Sequence, residues 1–227
     1  MDKNVIKMVV EYTHKLVDSG LSTSLDSGDL SYRDPKSGLI YIDPRPSEDL
    51  EIKNWKVITS EDIVVIDIDG NILNPEANRF PTVEWPMHLA IYRARADINA
   101  IVHSHALYSS VFAICKENIP SLLAEQELYV GGTVVCAEYA AVGSQKLADN
   151  ILAALGNRKA ALLQNHGAIY IGDTLEDAFI VAEYTEKGAQ TVILARAMGG
   201  KLVPLDTENL IAPEIADIAD ISVRHIR

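Results

Sequence analysis

In Ile63-Val64-Val65-Ile66-Asp67-Ile68-Asp69-Gly70-Asn71-Ile72-Leu73, a β-branched run leads into Asp-Gly, a tight-turn pair, and the apolar Ile72-Leu73 returns beyond it. That pattern predicts a hairpin, hence antiparallel strands. Upstream, Leu39 to Ile42 reads as another short strand, and Ser22 to Pro35 as a turn-rich stretch. Before that, Val5, Met8, Val9, Tyr12, Leu16 and Val17 recur at helical spacing, with Gly20 where a helix would stop.

Downstream of the hairpin, Thr82 suits a helix N-cap and Pro86 falls in the first turn; Val83, Met87, Ala90, Ile91 and Ala94 share one apolar face. Ala100 to His103 reads as a strand, Ser109 to Lys116 as a helix, and Val134 to Cys136 as a strand. Ser144 caps a helix that runs to Leu155 and stops at Gly156. Ala160 to Gln164 is a buried strand, with Ala168 to Ile171 as its continuation beyond Gly167. Overlapping capping boxes in Asp173 to Asp177 open a long helix that ends near Gly199-Gly200. Helices and strands alternate without a regular βαβ repeat, so the pattern predicts a layered α/β fold whose sheet contains antiparallel pairs.

The 227 residues carry no internal repeat or linker and suit one domain spanning 1–227. Apolar residues make up 48% of the chain, enough for a large core, yet no apolar run approaches the roughly 18–20 residues of a membrane span. Met1-Asp2-Lys3-Asn4 runs straight into an amphipathic pattern without the apolar core of a signal peptide, which predicts a cytoplasmic protein. Cys115 and Cys136 sit in apolar contexts and read as buried free thiols. A net charge of −12 argues against nucleic acid or an anionic membrane as partner. A phosphorylated substrate would need a local positive site, which a metal ion supplies.

His103-Ser104-His105 follows Ile101-Val102, and alternate strand residues point the same way, so both imidazoles would leave one face. Such a pair can share a metal ion or simply end a strand. His166 closes the apolar run Ala161-Leu162-Leu163 and precedes Gly167, a place from which it could face a site. His14 and His88 lie in helical patterns as surface or packing residues. Glu84, in the first turn behind Thr82, is the best acid–base candidate, though its charge would equally suit the helix dipole.

Four stretches together give the chain a resemblance to a known family: Thr82-Val83-Glu84-Trp85-Pro86-Met87-His88, Ile101-Val102-His103-Ser104-His105-Ala106, Val134-Val135-Cys136-Ala137-Glu138-Tyr139, and Leu162-Leu163-Gln164-Asn165-His166-Gly167, the last running into Gly172-Asp173-Thr174-Leu175-Glu176-Asp177-Ala178. In order and spacing the chain resembles the class II aldolase/adducin family, and within it the L-fuculose-phosphate aldolase-like proteins. The resemblance implies a three-layer αβα sandwich around a mainly antiparallel sheet. It implies one Zn2+ per subunit, held by His103, His105 and His166, with Glu84 as catalytic acid/base; His₃ sites accept other divalent ions too. It also implies a homotetramer acting on a small sugar-phosphate-like substrate. The expected reaction releases dihydroxyacetone phosphate and an aldehyde through a metal-stabilised enediolate. Glu84 would move the proton, for which burial must lift its pKa toward neutrality.

The chain departs from the family pattern at three phosphate-pocket segments. The first, usually Gly-Asn-x-Ser, reads Gly28-Asp29-Leu30-Ser31; the second, usually with a Ser/Thr-Gly pair, runs from Ile42 through Arg45 to Ser47; the third, usually two serines, is Thr82-Val83. Candidate substrate contacts are therefore Gly28, Asp29, Ser31, Arg45, Ser47 and Thr82, with Asp29 placing a carboxylate where an amide usually meets phosphate. The aldolases also use a tyrosine just after an Ile-Pro. Here Ile119-Pro120 is followed by Glu125 and, later, Tyr129. These two, with His225 on a tail from about residue 204 that would close over the site, are the candidate second proton donors. A decarboxylase, dehydratase or 4-epimerase sharing the enediolate is the alternative reading, and a non-catalytic adducin-like assembly domain is another.

Overall fold

The computed structural model describes residues 1–22, 27–45, 55–207 and 210. Ser47 and His225, and with it most of the predicted tail, lie outside the described residues.

One mixed seven-stranded sheet organises the chain, in the order β3-β2-β1-β4-β7-β6-β5. The strands are β1 (Asp29–Arg33), β2 (Ile40–Ile42), β3 (Val64–Ile66), β4 (Ala100–Ser104), β5 (Val135–Ala137), β6 (Ala160–Leu163) and β7 (Gly167–Gly172). All neighbours pair antiparallel except β5 and β6. The helices are α1 (Lys3–Asp18), α2 (Trp85–Ala94), α3 (Leu107–Cys115), α4 (Ala124–Val130), α5 (Gln145–Leu155) and α6 (Leu175–Ala197). Strand alternation sorts the core into two layers. Leu30, Val102, Leu162 and Tyr170 pack toward α1, α3 and α6, where Val9, Phe112 and Phe179 meet them. Ile101, Ile169 and Leu163 pack the other way, against Met87 and Ile91 of α2 and Ile151 of α5. This is the expected three-layer arrangement around a mainly antiparallel sheet.

Several local signals act as read. Ser144 accepts a hydrogen bond from the Leu147 N–H at the start of α5, and Thr174 and Asp177 close a capping box on α6. The hairpin reading holds in reduced form. Beyond β3 the chain turns through Asp67 to Gly70 and returns as a single bridge, Ile66 to Ile72.

Other readings need correction. Ser22 to Pro35 is not simply turn: Asp29–Arg33 is β1, near the middle of the sheet. Its polar residues are paired at long range, and Arg33, for one, caps the end of α2 by donating to the carbonyls of Tyr92, Arg95, Ala96 and Ile98. Ala168 to Ile171 does not continue β6. The chain reverses at Asn165, whose φ is +58°, and β7 runs back antiparallel with Leu163 facing Gly167. The α4 helix had no clear periodicity to announce it. Thr82 does not cap α2: the helix starts at Trp85 with Glu84 at the N-cap, and it buries Met87 to Tyr92 around its circumference while Val83 and Ala94 stay exposed. The thiols are free but not buried, since Cys115 is exposed and Cys136 half-buried. No described helix is long and apolar enough to cross a membrane.

Candidate metal centre

β4 and β7 meet at the end of their ladder, where His103 faces Ile169 and Ser104 faces Ala168. His103 is fully buried, and its Nδ1 lies 2.9 Å from the Ala168 carbonyl oxygen. A carbonyl can only accept, so Nδ1 donates to it and Nε2 is turned inward. That nitrogen is 3.0 Å from His105 Nε2 and 3.0 Å from Glu84 Oε2. The tight β6–β7 turn brings His166 alongside, with its Nε2 3.7 Å from Glu84 Oε2. The three rings stand nearly edge to face, with centroids 4.8 to 4.9 Å apart.

The donor atoms of Glu84, His103, His105 and His166 all lie within 4.8 Å of one another. A tetrahedral ion with bonds of about 2.0–2.1 Å separates its ligand atoms by about 3.3 Å. Two Nε2 atoms at 3.0 Å approach that spacing. A proton between the two nitrogens or a shared cation accounts for that approach. Glu84 Oε1 is buried without a hydrogen-bond partner among the described residues, as a carboxylate oxygen awaiting a cation would be. Three imidazole nitrogens and a carboxylate oxygen are a donor set suited to Zn2+.

The electrostatics agree. Burial pushes His103 down, but the Glu84 carboxylate outweighs it and lifts the imidazole to about 9. Burial and the neighbouring imidazoles push His105 down to about 4 and lower His166 as well. Glu84 moves opposite to expectation: burial works to raise it, yet His103 beside it holds its carboxyl below the ordinary range. Glu84 and His103 favour one positive charge between them, while burial and that neighbouring charge disfavour a proton on His105 and His166.

A second network lies directly beneath. Asp29 sits opposite His103 in the β1–β4 register and is only 2% exposed. One of its oxygens accepts from the Thr82 hydroxyl at 2.5 Å and the other is 2.9 Å from His88 Nε2. Burial raises the Asp29 carboxyl, but His88, His103 and Thr82 together hold it down at about 2. Ser31 lies 2.7 Å from His88 Nδ1 and 2.9 Å from the Tyr92 hydroxyl. Asp29, Ser31 and Thr82 are thus buried and mutually bonded, while Gly28, with φ +80°, packs against the His103 backbone. Arg45 is exposed, its guanidinium over the Phe80 ring at 5.3 Å.

The proposed donors on α4 stand elsewhere. Glu125 lies 3.5 Å from Lys187, and Tyr129 stacks on Tyr184 at 4.9 Å, both on the α4–α6 face. His14 contacts the Ile58 carbonyl oxygen at 3.0 Å. His88 is the residue that sequence reasoning undervalued. Its position one helical turn after Glu84 was the available signal.

Residues 7–193 match the Class II Aldolase and Adducin N-terminal domain. The chain belongs to that family. It is 36% identical over 204 residues to a 5-deoxy-D-ribulose 1-phosphate aldolase of Bacillus thuringiensis, covering 89% of this chain and 91% of that one. It is 34% identical over 156 residues to the L-fuculose phosphate aldolase of Escherichia coli, covering 69% and 71%. A solved L-fuculose 1-phosphate aldolase superposes with a TM-score of 0.84 at 35% identity, over 92% of this chain and 94% of the other. The crystal structure of L-fuculose-1-phosphate aldolase from Thermus thermophilus shares the fold at TM-score 0.71 and 22% identity, over 88% and 98%. This class II aldolase-type chain is accordingly a metal-dependent enzyme.

Proposed function

We propose that the protein is a zinc aldolase that cleaves a 1-phosphoketose of the L-fuculose 1-phosphate type into dihydroxyacetone phosphate and an aldehyde. The observation that carries this reading is the convergence of His103, His105 and His166 with the Glu84 carboxylate at one point. His103, His105 and His166 would hold the ion. When bound, a divalent cation would polarise the substrate carbonyl and offset the charge of the enediolate. In cleavage, the C4 hydroxyl loses its proton, the C3–C4 bond breaks, and its electron pair passes onto the C2 carbonyl. A proton delivered to C3 then completes dihydroxyacetone phosphate. Glu84 is the group positioned for that delivery and, in the synthetic direction, for the removal. Ala168, by fixing the His103 tautomer, keeps the ligand nitrogen turned toward the site.

A second substrate within the same chemistry is favoured by the 36% identity, across nearly the whole chain, to a 5-deoxy-D-ribulose 1-phosphate aldolase. The two ketoses release the same phosphate product but leave a three-carbon or a two-carbon aldehyde. Zinc-loaded protein is to be incubated with each, dihydroxyacetone phosphate and aldehyde measured, and a chelated sample run beside it. Chelator-sensitive release is the expected outcome, and the aldehyde then names the substrate. No release from either ketose by protein that retains its metal would exclude both substrates and turn the search to other aldols and to the decarboxylase, dehydratase and epimerase reactions. The reading includes a cytoplasmic homotetramer, which sedimentation velocity would check for subunit number.

A further inference from the structure

We propose that Asp29 and His88 form a buried clamp that fixes Glu84 through the Thr82 hydroxyl, so that Asp29 is a positioning residue for the proton-transfer carboxylate and not a contact for the substrate's anionic end. This deepens the aldolase reading and rests on Glu84 acting in that site.

Both carboxylate oxygens of Asp29 are engaged: one by the Thr82 hydroxyl at 2.5 Å, the other by His88 Nε2 at 2.9 Å. Having given its proton to Asp29, the Thr82 oxygen keeps lone pairs for the Glu84 N–H, 3.3 Å away. Thr82 precedes Glu84 and His88 follows it by one helical turn, so Asp29 grips the chain on both sides of the carboxylate-bearing residue. The far side of His88 is braced in turn by Ser31, which the Tyr92 hydroxyl supports.

The same strand end also fixes the metal side. Asp29 pairs with His103 in the sheet, and a Cβ at Gly28 would lie 2.5 Å from the His103 carbonyl oxygen. Residues 28 and 29 therefore hold an imidazole of β4 and the carboxylate at the head of α2 in one frame. A carboxylate suits this place better than an amide. Two donors converge on it, whereas asparagine offers one acceptor and would set its NH2 against the Thr82 hydroxyl, or against His88 unless the ring moves its proton to Nδ1, toward Ser31. Leaving a buried donor unmatched is costly, and the loop from Thr82 to Glu84 is where the strain would be relieved.

The variants Asp29→Asn, Thr82→Val and Thr82→Ser are to be compared with wild type and Glu84→Gln. The readouts are the visible d–d spectrum of the cobalt(II)-loaded proteins, inhibition by inorganic phosphate, and kcat and KM for dihydroxyacetone phosphate release. The clamp predicts that Asp29→Asn and Thr82→Val lower kcat on the order of 10–100-fold, the usual effect of losing such outer support. KM stays nearly unchanged, and the cobalt spectrum shifts toward that of Glu84→Gln. Thr82→Ser, which keeps the hydroxyl, restores both. Wild-type kcat and spectrum in Asp29→Asn would overturn the proposal, and tighter phosphate inhibition with unchanged kcat would place the carboxylate against the anion. If Asp29→Asn fails to fold, the Val/Ser pair at 82 decides. If wild type cleaves neither ketose, the substrate assignment fails alone, because the cobalt spectra still report whether the clamp holds Glu84.

Discussion

At the scale of single residues, the proposed reading separates holding an ion from moving a proton. Three imidazoles surround the point where Glu84 Oε2 comes within 3.0 Å of His103 Nε2. Replacing Glu84 by glutamine preserves volume but removes the group able to carry the proton. The expected outcome is a kcat loss on the order of 10²–10⁴-fold, with zinc stoichiometry held by the histidines. Metal analysis beside steady-state kinetics checks both halves, and loss of zinc together with activity would assign Glu84 mainly to holding the ion. The histidines were legible because two periodicities exposed them: alternate positions on β4, and the end of an apolar run before Gly167. Asp29 was not legible as a partner, since Thr82 and His88 lie 53 and 59 residues away in sequence. Nothing local distinguishes a carboxylate clamped from below from one facing a ligand.

At the scale of elements, the site depends on how closely β4 and β7 approach. Gly167 begins β7 with no room for a side chain: a Cβ there would run into the Ser104 carbonyl oxygen and come within 2.9 Å of His105 Cδ2. Gly167→Ala should therefore splay the two strands beside His105 and His166. Its cost is expected at about 1–3 kcal/mol of stability, typical of an overpacked site, with weaker zinc binding in competition against a chromophoric chelator. Unchanged zinc affinity in a destabilised protein would show that the ligands sit on a frame more tolerant than the strand contact suggests. The elements that sequence reading found were those with local instructions, such as the Ser144 cap of α5 and the capping box of α6. β1 escaped because its alternation runs against habit. Leu30 packs on the main core, while Asp29, Ser31 and Arg33 carry the strand's buried polar bonds and hold α2. The β6–β7 reversal escaped because a left-handed Asn165 inside an apolar stretch leaves only a faint signal of a turn.

At the scale of the whole molecule, folding brings together residues whose charges would otherwise repel or remain unpaired, and binding at the centre should be felt as stability. A ligand at 100 times its Kd adds about 2.7 kcal/mol. Removing the metal should accordingly lower Tm by several degrees, restored by zinc. A metal-independent Tm would mean that the imidazoles do not bind an ion in the folded state.

A second, metal-independent charge effect resides at Asp43, fully buried between α1 and β1. Burial pushes its carboxyl up to about 8, with Asp29 adding to the rise and the Thr13 and Leu30 hydrogen bonds opposing it. The Thr13 hydroxyl lies 2.9 Å from the Val9 carbonyl oxygen and 2.7 Å from Asp43 Oδ1. Its single proton can go to either acceptor, and the other Asp43 oxygen accepts from the Leu30 N–H. Between the ordinary value of 3.8 and about 8, the folded state holds a proton that the unfolded chain has lost. The sign follows: this contribution is complete below that window and is lost as pH rises through it, by up to about 1.4 kcal/mol per pH unit. Asparagine reproduces the donor and acceptor without titrating. Asp43→Asn should match wild type near the bottom of the window and exceed it increasingly toward pH 8 in urea unfolding. Parallel stability curves for the two proteins would show that Asp43 is ionised in the fold, and that Thr13 turns its proton from α1 toward the carboxylate.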